Sequence, residues 1–221
     1  MDDSVARAPE KNDLLRALWR DKLHTEPEAI EASPRAIRQT YDSIWQPSER
    51  LLVELGQLPT GLLSLWAAST RGHVVLTHFS STYRPGSQSW RKSSLESVCY
   101  LALSDLEAWS RRPALVLFHL LDHLLGSDCR ESGGRLSDGE GSHSMLRDVG
   151  QRFVTIEALG YGHDELRVQT RHDYFAHTLW LHLYDPEKLN VLDPLVFKLY
   201  ANTLLDEGFW LRAGRDGRAH K

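Results

Sequence analysis

Pro113-Ala-Leu-Val-Leu-Phe-His-Leu-Leu-Asp-His-Leu-Leu-Gly126 is the stretch on which the fold turns. Apolar residues fall on nearly every side of a helix drawn through it. The segment therefore predicts a helix buried over most of its surface. Pro113 suits a first helical turn and Gly126 suits a helix end. Three residues break the apolar pattern: His119, Asp122 and His123. Residues three and four apart are neighbours on a helix, so these three make one polar stripe. A buried polar group needs a partner, because leaving it unsatisfied costs about 1–3 kcal/mol.

On either side of this helix the pattern changes character. His73–Ser80 and Ser97–Ser104 are rich in β-branched and apolar residues and predict strands. Residues 81–94 are rich in Ser, Gly and Arg and read as a loop. Trp90 within it reads as one packed aromatic in a solvated loop, with a contact surface as the alternative. Helical spacing marks about 12–23, 34–45, 48–58, 62–68, 143–159, 164–184 and 193–206. Residues 127–142 read as a polar, Gly- and Ser-rich loop. Strands early and long helices late give an α+β order, with a small β-sheet, a buried central helix and a mainly helical C-terminal half. The expected organisation is an N-terminal helical segment at 1–47, a main domain at 48–210 and a flexible basic tail at 211–221.

The chain has 221 residues, of which 41% are hydrophobic and 25% charged. That composition excludes a wholly disordered chain and is enough for a real core. The net charge of −4 argues against sequence-independent binding to nucleic acid. No run approaches the ~18 apolar residues of a membrane span. Met1-Asp-Asp-Ser has no apolar core behind it and does not read as a secretory signal. Two cysteines, Cys99 and Cys129, cannot build a disulfide framework. Cys99 in a strand reads as a small buried hydrophobe, and Cys129 as an inert loop thiol. The expected compartment is the cytoplasm. No Gly-rich phosphate loop is present.

The unusual count is eleven histidines, eight of them from His119 onward. His163, His172 and His182 read as surface or interface residues. His73 and His78 are five apart on a strand, so they fall on opposite faces. The central helix admits two chemical readings. In one, His119 and His123 ligate zinc at i and i+4, and Asp122 acts as the base of an inverted zincin motif. A third ligand would then come from a downstream carboxylate such as Asp173, Glu187 or Glu207. In the other, Asp122 and a histidine are a hydrogen-bonded pair in a packed helix.

Leu120-Leu-Asp-His-Leu-Leu-Gly126 is followed by Gly133-Gly-Arg-Leu-Ser-Asp138 and then by Asp173-Tyr-Phe-Ala-His177. Leu183-Tyr-Asp-Pro-Glu-Lys-Leu189 and Pro194-Leu-Val-Phe-Lys-Leu-Tyr200 come after them. In order and spacing, across roughly residues 50–206, this series resembles the zincin metallopeptidases related to the anthrax lethal factor catalytic domain and to Mlc titration factor. The resemblance implies a zincin-like fold and aligns the family's zinc motif with Leu115–His119. The first zinc histidine then becomes Leu115 and the catalytic glutamate becomes Val116. The second histidine survives as His119. The third ligand becomes Asp173, and the next glutamate of that later helix becomes His177. Tyr161 and Tyr174 are both candidates for the family's transition-state tyrosine.

Leu115 cannot bind zinc and Val116 cannot accept a proton, so standard hydrolysis is lost in this alignment. His119, Asp173, His123 and His177 remain as candidates for a rebuilt metal site, with zinc as the metal. The leading expectation is a degenerate, non-catalytic homologue that binds a peptide or protein partner or regulates one. The alternatives are an active zinc hydrolase with a rearranged His/Asp site and a structural interaction domain.

Overall fold

A computed structural model describes residues 10–107, 109–127 and 134–219, with the side chains of 215–219 left aside. Residues 1–9, Cys129, Gly133 and the last two residues, all part of the sequence expectations, lie outside the described residues. The chain opens with α1 (Lys11–Asp21), β1 (Leu23–Thr25), α2 (Arg35–Thr40), α3 (Trp45–Leu55) and α4 (Thr60–Ala68). The strands β2 (His73–Thr77), β3 (Thr82–Trp90) and β4 (Ser93–Ala102) follow. The short α5 (Leu103–Glu107) leads to α6 (Arg111–Leu125), the helix read first in the sequence. A 3-10 turn at Leu136–Asp138 precedes α7 (Ser144–Glu157), α8 (His163–Leu166), α9 (Arg171–Tyr184), α10 (Pro186–Leu192), α11 (Pro194–Ala201) and α12 (Glu207–Ala219).

The α+β class stands. The four strands form one mixed sheet in the order β1-β2-β4-β3, parallel except for the β3–β4 hairpin. Strand alternation gives the sheet two faces. Val74, Leu76, Cys99 and Leu101 join the main core, which α6 enters through Ala114, Leu117, Phe118 and Leu121. Cys99 is fully buried, as expected of a small hydrophobe. The other face carries a second, smaller apolar cluster of Val75, Leu95 and Val98, with Trp90 and Tyr100 against it.

Two departures from the sequence reading have clear causes. Residues 81–94 are mostly β3, an edge strand, rather than a loop. Apolar residues are scarce there because the strand is largely exposed, and Pro85-Gly86 marks a bulge where the register with β4 shifts between Arg84 and Ser87. Trp90 is a packed aromatic as expected, but it packs on the sheet from the end of β3 rather than from a loop. The 164–184 segment splits into α8 and α9, because Arg167 takes a left-handed φ of 53° between them. The expected domain limits also run through structure. Leu14, Leu18 and Ile37 belong to the same apolar cluster as α6, α3 spans the 47/48 limit, and α12 crosses 210/211 with Ala213 buried.

Helix starts in the C-terminal half follow from capping. Thr170 accepts from the Asp173 amide at the start of α9. Asp185-Pro186 and Asp193-Pro194 each pair a capping carboxylate with proline in the first turn, where its missing N–H costs nothing. Gly126 ends α6 because a Cβ there would sit 1.8 Å from the Gly134 carbonyl oxygen. That close approach brings the 134–138 segment back over the C-terminal half of α6.

Candidate functional site

The outer face of α6 carries Arg112, Leu115, Val116 and His119, spaced as one helical stripe. All four are at least partly exposed, whereas Leu117, Phe118, Leu120 and Leu121 are buried. The helix α9 lies alongside α6. Across that seam His119 Nε2 stands 3.4 Å from Asp173 Oδ1. The side chains are 21% and 41% exposed, so the pair opens to solvent. Thr170 holds the other carboxylate oxygen, donating from Oγ1 to Asp173 Oδ2 at 2.7 Å. Burial lowers the His119 pKa from its usual value, and Asp173 opposes that shift. The imidazole is therefore mainly neutral at pH 7.

The other two candidate ligands are engaged elsewhere. His177, one turn along α9, accepts at Nδ1 from Arg111 Nη2 at 2.6 Å. Burial first, and the Arg111 charge second, lower its pKa to about 4. His123 is buried, 3% exposed, and turns toward the sheet. Its Nδ1 lies 2.6 Å from Tyr83 Oη on β3. Burial pushes the Tyr83 phenol up to about 12, so the phenol keeps its proton in this hydrogen bond, and the His123 tautomer sets which of the two donates. Among the described residues no group of three or more His, Cys, Asp or Glu side chains is placed to hold a metal ion. A catalytic zinc takes three protein ligands and a water. The residues present offer it His119 and Asp173, with hydrocarbon at Leu115 and Val116. They do not fit such an ion.

Asp122 cannot act as the base of an inverted motif. It is completely buried. Its Oδ1 accepts from the Ser137 amide at 2.8 Å, and its Oδ2 accepts from Ser137 Oγ at 2.6 Å. Arg135 approaches to 4.0 Å. The hydrogen-bonded reading of this residue is the one the structure contains, but its partner is Ser137 rather than a histidine of its own helix. His172 then joins through Ser137, with Nδ1 2.8 Å from Oγ and Nε2 3.9 Å from Asp138. His172 is therefore part of this network and not a plain surface residue. A Ser–His contact can mark a nucleophile. Here the serine is fully buried and faces a carboxylate, which leaves no room for attack.

Of the tyrosines, Tyr174 is buried in the core and bonds to Asp193 Oδ2 at 2.6 Å and to the Tyr161 carbonyl at 2.8 Å. Its hydroxyl is committed to holding α9 on the start of α11. Tyr161 is half exposed. His163 and His182 make ring contacts, with Tyr174 and Phe197 respectively. Ser137, Arg111 and Tyr83 were not singled out in the sequence. Only the proximity of Ser137 to the Gly-rich stretch pointed toward it.

Comparison of the chain with protein-family models, with curated proteins and with solved structures finds no match. No helix among the described residues is long and apolar enough to cross a membrane.

Proposed function

We propose that this chain is a degenerate homologue of the zinc metallopeptidases that has lost peptidase activity and acts by binding a peptide or protein partner. One observation carries the reading: the His119–Asp173 pair at the α6–α9 seam, with Leu115 and Val116 one turn earlier on the same face. Two donors on a tetrahedral zinc with bonds of about 2.1 Å stand roughly 3.4 Å apart. The observed 3.4 Å separation is that span. A relic of a three-ligand site would look like this after its first histidine and its base had been replaced by residues that pack.

Losing the glutamate removes the group that deprotonates an attacking water. What remains is a half-exposed strip in which Leu115 and Val116 lie between Arg112 and the His119–Asp173 pair. Its mixture of apolar and charged groups suits a peptide or protein segment. The cytoplasm remains the proposed compartment.

The test is reconstruction. Leu115→His with Val116→Glu restores both missing groups to the α6 face. The doubly substituted chain, produced without a metal-affinity tag and desalted, should retain close to one zinc per chain by elemental analysis, while the wild type should retain almost none. Stoichiometric zinc in the wild type, lost on His119→Ala, would establish the active-hydrolase alternative instead. Zinc in neither chain would remove the zincin alignment altogether.

A further inference from the structure

His24 on β1 and His73 on β2 were not connected by any motif, yet the parallel pairing brings them together. Leu23 is opposite Val74 and His24 opposite Val75. His73 and Val75 point to one face of β2, so His24 and His73 are diagonal neighbours on the sheet face away from α6. Their ring nitrogens, His24 Nε2 and His73 Nδ1, are 3.0 Å apart. The other nitrogen of His73, Nε2, lies 3.2 Å from the Thr70 carbonyl oxygen. A carbonyl can only accept, so His73 carries its proton on Nε2 and turns the Nδ1 lone pair toward His24. A backbone carbonyl behind the ring is the support that metal-binding histidines commonly have.

We propose that His24 and His73 form a two-histidine site for a borderline divalent transition metal, with copper(II) the strongest occupant. Two imidazole nitrogens about 3 Å apart span one edge of such an ion's coordination shell. To accept it, His24 moves its proton to Nδ1, a tautomer change with no net proton release. Burial lowers the pKa of both rings, that of His24 to about 4. Both rings stand on rigid strands, which limits the ordering cost of closing on an ion.

The charges facing the pair are cationic, and they temper the affinity. Lys22 is buried, with its ammonium bound to the Ser69 and Arg71 carbonyls. Arg91 lies over the Trp90 ring. No third His, Cys, Asp or Glu among the described residues completes a group, so water fills the remaining positions. The site is consequently labile and empties on desalting. That property keeps it distinct from the tightly held zinc of the reconstructed α6 site.

Trp90 supplies the readout, since its ring is 5.9 Å from that of His24 and bound copper(II) quenches nearby tryptophan. The untagged full chain is titrated with copper(II) chloride in a non-coordinating buffer. One equivalent should quench fluorescence and give an electron paramagnetic resonance spectrum with two nitrogen ligands. His24→Gln and His73→Gln should each weaken that first equivalent at least tenfold. Trp90→Phe should lose most of the quench and keep the affinity. A first equivalent that is unchanged in both histidine variants would overturn the proposal. So would a wild-type spectrum with one nitrogen or none, which tests the claim even where a variant folds poorly.

Discussion

The two halves of α6 place polar residues in opposite circumstances. In the C-terminal half, Asp122 and His123 are buried and bonded, to Ser137 and Tyr83. From the middle of the helix toward its N-terminus, Leu115, Val116 and His119 form a half-exposed stripe, and His119 meets Asp173 across the seam. A cluster of histidines and carboxylates in sequence thus separates into a structural part and an open part. The structural part locks the 134–138 segment and β3 onto the helix. The open part faces solvent at the α6–α9 seam.

The largest effect should come from the locked half. Asp122→Ala strands the buried Ser137 groups and should lower the unfolding free energy by about 3–5 kcal/mol. Urea denaturation measures this, and a loss below about 1 kcal/mol would mean that the network contributes little and that the contrast fails. Tyr83→Phe removes one buried hydrogen bond to His123 and should cost about 1–2 kcal/mol in the same assay. Thr170→Ala uncaps α9 and releases Asp173, at about 1 kcal/mol. Its effect should be on stability alone, with no change in the environment of His123 by NMR.

A pH scan should produce the smallest effect. The folded pKa of His177 is about 4, below the usual 6.5, so the unfolded chain binds the proton more readily. Stability is then fully present above about pH 6.5 and declines as the pH falls toward 4. His119 and His24 shift in the same direction. His177→Gln should flatten part of this decline. An unchanged slope would show that burial and the Arg111 charge do not hold the ring neutral.

The sequence made α6 legible because the apolar run Ala114–Phe118, continued by Leu120, Leu121, Leu124 and Leu125, admits little else. It also showed β2, with its β-branched run, and β4, through the apolar residues Val98–Ala102, most of them buried. It hid β3, since an exposed edge strand needs no apolar residues, and β1, which is three residues long at a helix end. The pairing of His119 with Asp173 was suggested by the family resemblance alone, since spacing singles out none of Asp173, Glu187 and Glu207. The engagement of His123 with Tyr83 was not, because their contact depends on an edge strand that reads as a loop. The same blind spot concealed His24 and His73, which only strand register brings together.

The central claim is that the open half of α6 is a zinc site with two of its groups replaced. Zinc content of the Leu115→His, Val116→Glu chain after desalting tests it most directly. The account predicts close to one zinc per chain, abolished by adding Asp173→Ala, against almost none in the wild type. Zinc retained by the reconstructed chain without dependence on Asp173, or no zinc in a chain that folds normally, would contradict it.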